Sequence, residues 1–477
     1  MPNFAPKFHI MAAHFGMIGL GTMGRNLLLN VADHGYEVCG YDPNVDQQKR
    51  LLAEANGTAV SAAASLPEFV NSLSTPRIIM LLVPAGKIVD NVLNDLLPLV
   101  QKGDIIIDGG NTHFTDTDRR YDMLQNSGVH FIGMGVSGGE EGARRGPSMM
   151  PGGNIESYTL VKEILEAIAA KSDEGPCVAY MGNKAAGHYT KMVHNGIEYA
   201  MMQLISEIYA VLKKAGELSN KELHQAFDAW NKAELQSFLV EITAAVFNQK
   251  DPETGNDLVD MILDKAKQKG TGMWTSQNAM DLNVPLPTID IAVTMRYVSA
   301  LKDQRVSNSR LYNLPGDVTP IEKELLITLS KSALHFGFLI AYAQGLHLLK
   351  VASDTYNYAI PLPEVVKIWK GGCIIRSAML GDLRKAYVED NSLVNIISSP
   401  VFKPLFTTLR NDVKQVLAIA LENDIPVAAL SSALHYFDAI TSEKLSANLI
   451  QAQRDFFGAH TYERIDKPGV FHTEWEG

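Results

Sequence analysis

FGMIGLGTMGRNLLL (residues 15–29), followed closely by EVCGYDPN (residues 37–44), is the stretch that decides the fold. Phe15 to Ile18 reads as a buried strand, and Gly19-Leu20-Gly21-Thr22-Met23-Gly24 is a GxGxxG that opens a helix. In such a turn Gly19 permits the tight reversal and Gly21 lets a pyrophosphate approach the backbone. Gly24 lets helix and strand pack closely, with the phosphates on the helix N-terminus. Glu37 to Tyr41 reads as a second strand ending at Asp42, where the partner of a ribose hydroxyl belongs. A carboxylate there accepts from a free 2′-hydroxyl and repels a 2′-phosphate. Pro43 and Asn44 bring no cation to offset it, so the local chemistry leans towards NAD over NADP.

Outward from this unit, short apolar runs alternate with helical stretches up to about residue 185. The runs Ile78–Val83, Ile105–Asp108 and His130–Val136 continue the βαβ rhythm of an open parallel sheet. From Gly187 the rhythm gives way to long periodic segments, Lys191–Lys214, Lys221–Phe247, Ile321–Val351 and Ser398–Ala439, which predict an all-helical domain. Residues 446–477 are polar and aromatic, with Gly458, Pro468 and Gly469, and read as a tail. The expected organisation is a Rossmann-type dinucleotide-binding domain over 1–186, a helical domain over 187–445 and a C-terminal tail. Inside the helical part His194, Gly196, Ala200 and Gln203 recur as His335, Gly337, Ala341 and Gln344, which points to a helical duplication. Lys191, Asn195 and Glu198 fall opposite Ser332, Phe336 and Leu339, so only the first copy has catalytic side chains.

The composition sets bounds. With 477 residues, more than one core is expected; 46% hydrophobic and 20% charged residues describe a globular chain. The net charge of −11 argues against nucleic acid as the main partner, but not against a small anion held by a few local cations. Apolar runs are short or interrupted, which argues against a membrane span and a secretory signal. Three widely spaced cysteines, Cys39, Cys177 and Cys373, fit buried free thiols in a reducing cytoplasm.

The segment GHYTKMVHNGIEY (residues 187–199) carries the chemistry. Lys191, His194, Asn195 and Glu198 stand at i, i+3, i+4 and i+7, on one helical face. Most such stripes are solvated surface. Here Met192, Val193, Ile197, Ala200 and Met201 make the flanking faces apolar, so the stripe lines a cleft. Ser137, Gly138 and Gly139 follow a strand at the carboxyl edge of the sheet, and Asn111 ends the segment Asp108-Gly109-Gly110. Gln268-Lys269-Gly270-Thr271-Gly272 reads as a phosphate loop, and Arg296, Arg454 and His460 are candidates for an anion clamp.

Seven segments in order, IIDGGN (106–111), GVSGGEEGAR (135–144), GPSMMPGG (146–153), KMVHNGIEY (191–199), QKGTG (268–272), GGCIIRS (371–377) and NLIQAQRDFFGAHTYE (448–463), resemble the long-form 6-phosphogluconate dehydrogenases. The resemblance runs over almost the whole chain. It implies metal-free oxidative decarboxylation of 6-phosphogluconate to ribulose 5-phosphate and CO2 by a homodimer, the reaction of the oxidative pentose phosphate pathway. Lys191 would be the general base at the 3-hydroxyl, and Glu198 the acid that protonates the enediol. Asn111, Ser137, Gly138, Gly139, His194, Asn195 and Tyr199 would hold the sugar acid. Lys269, Thr271 and Arg296 would hold the phosphate, with Arg454 and His460 arriving from the partner subunit. The coenzyme would lie along residues Gly19 to Gly24, Asp42, Pro43, Asn44, Val83, Pro84, Ala85 and Asn111.

The chain departs from the family's pattern where NADP-dependent members carry Asn-Arg-Thr, here Asp42, Pro43 and Asn44, and where they often carry Lys, here Pro84. About ten residues precede the usual start, with Met11 an alternative initiator. The rival readings are another β-hydroxyacid dehydrogenase, which would be shorter and lack the tail, and a catalytically inactive dinucleotide-binding protein.

Overall fold

A computed structural model describes residues 12–313, 319 and 321–475; Met11 lies outside the described residues. Phe15–Ile18 (β1), Val38–Tyr41 (β2), Val60–Ala62 (β3), Ile78–Leu81 (β4), Ile105–Asp108 (β5), His130–Ser137 (β6) and Ser148–Gly153 (β7) form one sheet. Its order is β3-β2-β1-β4-β5-β6-β7, parallel except for β7, which pairs antiparallel with β6. β1 lies between β2 and β4, so the winding direction reverses there. Ligands of open α/β sheets sit in the crevice beyond the strand ends at that point. The four residues of β4 and the four of β5 are all buried, as strands covered by helices on both faces must be.

Five of these strands stand where the sequence predicts them. β3 is a three-residue edge strand with too little pattern to read. β7, SMMPGG, carries the residues of a turn, yet it is fully buried. The reason is close packing: a Cβ on Gly152 would lie 2.3 Å from Gly187 N, and one on Gly187 would lie 2.2 Å from the carbonyl oxygens of Gly133 and Met150. The first turn of the helix Ala186–Lys214 sits directly on the β6–β7 backbone, where only glycine fits.

The helical part departs from the expected segments at two breaks. Residues 221–247 form two helices, Asn220–Asn231 and Phe238–Phe247, the second capped by Ser237, whose hydroxyl accepts from Val240 N. Residues 398–439 divide into Lys403–Glu422 and Ala428–Ile440 around Asp424, at φ +51, and Pro426. The helix Lys323–Thr355 is apolar and long enough for a membrane span, but most of its apolar window is buried. It is a core helix, antiparallel to Ala186–Lys214: Gly337 meets Leu204, and Gly345 meets Val193 and Ile197.

The duplication extends beyond the residues that first suggest it. Asn283 and Asp424 both have positive φ and stand 141 residues apart, as do Pro285 and Pro426. The helices that follow are capped reciprocally. Gln344 accepts from Thr288 N (3.1 Å), and Glu207 accepts from Ala429 N (2.9 Å) and Leu430 N (2.8 Å). Each long helix thus satisfies the free N–H groups of a short helix from the other copy.

The tail is more ordered than its composition predicts. Ala447–Gly458 is a helix, and Tyr462–Glu463 pairs with Val470–Phe471 as a small hairpin.

Candidate active site

The glycine turn has the geometry that its sequence requires. Gly19 has φ +96, and a Cβ on Gly24 would lie 1.9 Å from the Gly19 carbonyl oxygen, so helix and strand touch through backbone. A Cβ on Gly21 would meet nothing within 4 Å, which leaves the turn's outer face open to a ligand. Beside it runs a cleft of about 720 Å³, lined by Gly19, Gly21, Asp42, Pro43, Val83 and Pro84 among others. Asp42 is fixed at its wall: one carboxylate oxygen accepts from Leu20 N (2.8 Å), the other from Asn44 N (2.9 Å). Each oxygen retains a lone pair for a ribose hydroxyl. Among the described residues, the charged ones lining this cleft are Asp42 and Asp95, both acidic. Two nearby cations are already paired, Arg25 with Glu54 and Lys49 with Asp46.

The loop carrying Asn111 is held from beneath. Asp108 accepts from Gly110 N (3.1 Å) and Thr112 Oγ1 (2.8 Å). Arg120, wholly buried, reaches Asp108 (3.4 Å), Asp90 (2.8 Å) and the Gly86 carbonyl (2.9 Å), and so ties this loop to the one after β4. Asn111 itself is exposed. No sequence signal separates Arg120 from its exposed neighbour Arg119; only the fold does.

At the far end the predicted stripe comes together. Gly135 of β6 lies against the helix so closely that a Cβ there would sit 2.3 Å from Lys191 Cβ. Lys191 and His194 are buried, and Lys191 Nζ lies 3.4 Å from His194 Nδ1. Asn195 Nδ2 donates to Thr271 Oγ1 (3.0 Å), which turns Asn195 Oδ1 towards His194 Nδ1 (3.0 Å). His194 therefore carries its proton on Nδ1, and Nε2 accepts from the Ser137 hydroxyl (3.2 Å). Glu198 Oε2 is 3.9 Å from the same imidazole.

Burial sets the protonation of this cluster. Desolvation lowers the Lys191 pKa, opposed by the carboxylate of Glu198. Desolvation, reinforced by the nearby lysine, holds His194 well below the ordinary histidine range, so it stays neutral. The Glu198 carboxyl is raised by burial, against the pull of Lys191 and Arg296. A lysine that holds its proton less tightly than usual and a carboxyl that holds its proton more tightly thus stand on one helical face. The set fits proton abstraction followed by proton return.

The phosphate candidates are partly assembled. Thr271 is buried on Asn195, and Gly272 lies flush against the Tyr199 ring. The Arg296 guanidinium stacks 3.6 Å above the same ring, and Lys269 is exposed. Arg454 and His460 are exposed on the tail, where Arg454 donates to Gln451 (3.2 Å) and His460 packs edge-on to Phe457. Neither hydrogen-bonds to the Lys191 cluster of its own chain.

Two further residues line the cluster. Trp369 packs edge-on to His194 with ring centroids 5.7 Å apart. The buried thiol of Cys373 donates to the Trp369 carbonyl and is pushed up to about 12 by burial, so it stays neutral beside Lys191. The GGCIIRS segment marks this place in the sequence, though no spacing assigns it a part.

The geometry agrees with the comparisons. The family model "6-phosphogluconate dehydrogenase, C-terminal domain" matches residues 187–475, and the "NAD binding domain of 6-phosphogluconate dehydrogenase" matches residues 14–182. The chain belongs to the 6-phosphogluconate dehydrogenase family. It is 52% identical over 462 residues to an NADP(+)-dependent, decarboxylating 6-phosphogluconate dehydrogenase of Bacillus subtilis, covering 96% of this chain and 98% of that one. A decarboxylating 6-phosphogluconate dehydrogenase of Escherichia coli K12 is 49% identical, with the same coverage of both chains. Among solved structures, the Plasmodium falciparum 6-phosphogluconate dehydrogenase, studied with NADP+ and with 6-phosphogluconate, superposes with a TM-score of 0.94 at 40% identity. That match covers 97% of this chain and all of the other.

Proposed function

We propose that this chain catalyses the oxidative decarboxylation of 6-phospho-D-gluconate to D-ribulose 5-phosphate and CO2. The observation that carries the reading is the Lys191–His194–Asn195–Glu198 face, buried but for a half-buried Glu198 and set at the carboxyl edge of a dinucleotide-binding sheet in a chain of this family. A dinucleotide fits the cleft, because the turn at Gly21 is open and Asp42 is fixed with lone pairs to spare. When bound, it supplies the acceptor for the hydride that leaves C3.

Lys191, as the neutral amine, takes the proton from the 3-hydroxyl. The ketone so formed accepts the electron pair as the C1–C2 bond breaks and CO2 departs, and Lys191 returns its proton to that oxygen. Glu198 then donates a proton to the enediol carbon that becomes C1 of the product, while Lys191, again the neutral amine, takes back the proton of the adjacent hydroxyl as the ketone forms. Ser137, His194 and Asn195, already hydrogen-bonded to one another or to Thr271, orient the hydroxyls. Lys269, Thr271 and Arg296 take the phosphate, completed by Arg454 and His460 of the partner subunit in a homodimer. On this reading residues 1–186 bind the coenzyme, 187–445 the substrate, and 446–477 reach across. Steady-state assays with 6-phosphogluconate and trapping of the released CO2 test the reaction; no turnover with either coenzyme sinks it.

Coenzyme choice is the finer part of the proposal. Asp42, the acidic cleft and the paired state of Arg25 and Lys49 favour NAD, so NAD is expected to have the higher kcat/KM. Asp42→Asn combined with Pro43→Arg removes a repulsive carboxylate and adds a phosphate partner, and should shift preference towards NADP. A wild-type protein that strongly prefers NADP overturns this expectation without touching the reaction itself.

A further inference from the structure

The tail has almost no core of its own: along its helix Leu449, Ile450, Phe456 and Phe457 are all more than half exposed. It nevertheless holds a defined shape, and one side chain accounts for it. Asp455 is completely buried and accepts four hydrogen bonds. Its Oδ1 receives Thr461 N (2.9 Å) and His472 Nδ1 (2.9 Å), and its Oδ2 receives Thr473 N (3.0 Å) and Trp475 Nε1 (2.9 Å). The donors come from the turn after the helix and from the segment that follows the strand Val470–Phe471. A carboxylate with four donors does here what a hydrophobic core does elsewhere.

Asp455 also stands beside the two residues assigned to the phosphate. Arg454 precedes it on the helix. His460 lies between Ala459 and Thr461, both at positive φ (+48 and +61). Such backbone is unfavourable for residues with a Cβ and persists only where its surroundings hold it. Here the hold is the bond from Thr461 N to Asp455, together with that from Ala459 N to the Asp455 carbonyl (2.9 Å).

We infer that Asp455 is a positioning residue for phosphate recognition: it never touches substrate, but it fixes the turn that aims His460, and with it Arg454, at the phosphate group. The inference rests on the reading that the tail supplies those two side chains. Loss of the carboxylate frees the turn while the coenzyme cleft and the Lys191 cluster, built from other segments, keep their geometry.

The test compares Asp455→Asn, Trp475→Phe and Arg454→Ala with wild type, using KM for 6-phosphogluconate, kcat, and the dissociation constant of the reduced coenzyme. In Asp455→Asn an amide N–H faces donors that the carboxylate satisfied. KM should rise roughly tenfold or more, the scale of one lost charge-assisted hydrogen bond, with kcat and coenzyme binding nearly unchanged. Trp475→Phe removes one donor of four and should give a smaller rise of the same kind, which keeps the idea testable if Asp455→Asn does not accumulate. A rise in KM for Arg454→Ala alone, with both hub variants like wild type, overturns the role of Asp455 and leaves the tail's part in the site standing. A kcat or coenzyme effect as large as the KM effect also overturns it, since that is general destabilisation. If Arg454→Ala itself leaves KM unchanged, the reading of the tail fails and this inference falls with it.

Discussion

Lys191→Met is expected to lower kcat by at least ~10²-fold, the usual contribution of a positioned general base, while leaving coenzyme binding intact. Methionine fills the same narrow space against Gly135, and the site loses no obligatory partner, because His194 keeps Asn195 and Ser137. The pH profile gives an independent readout. Only the amine form of Lys191 has a lone pair for the hydroxyl proton, so activity falls as pH drops through the lysine pKa. Burial lowers that pKa, which moves the acid limb down from the ordinary lysine range. The residual activity of Lys191→Met should lack that limb. Glu198→Gln should be milder, since water can protonate the enediol slowly. Near-normal turnover by Lys191→Met in stopped-flow and steady-state assays would remove the base assignment.

The fold was legible where one residue type has one physical meaning. Gly19, Gly21 and Gly24 gave the coenzyme turn, and the i, i+3, i+4, i+7 spacing placed Lys191, His194, Asn195 and Glu198 on the face they occupy. The helical duplication was legible from four matched residues, two of which sit at a tight helix contact or a cap: Gly337 meets Leu204, and Gln344 caps the helix at Thr288. Sequence reading failed where one residue type serves two ends. In β7, glycine and proline mark close backbone packing and look like a turn. Arg120 is buried and Arg119 exposed, though they are neighbours on one helix. The tail helix was missed because its apolar side chains face outward, where helical periodicity about a core gives no guide. What shapes it is the polar hub at Asp455, and a lone aspartate in a sequence carries no sign of four donors converging on it.

The exposed face of that tail leads to the second large effect. Phe457 is 71% exposed and Leu449 and Ile450 are each 60% exposed, a run of apolar surface that a neighbouring subunit would bury. If the tail completes the partner's site, each site takes Lys191 from one chain and Arg454 from the other. Homodimers of Lys191→Met and of Arg454→Ala should then both be weak, the first in kcat and the second in KM. Co-refolding the two variants distributes the damage unevenly. In a mixed dimer one site receives both altered residues and the other receives neither. Mixed dimers, isolated through two different affinity tags, should therefore recover activity approaching half that of wild type. With Arg454 acting within its own chain, every site in the mixture keeps one lesion and nothing is recovered. Tagged mixed dimers no more active than their parents would exclude a site shared between subunits.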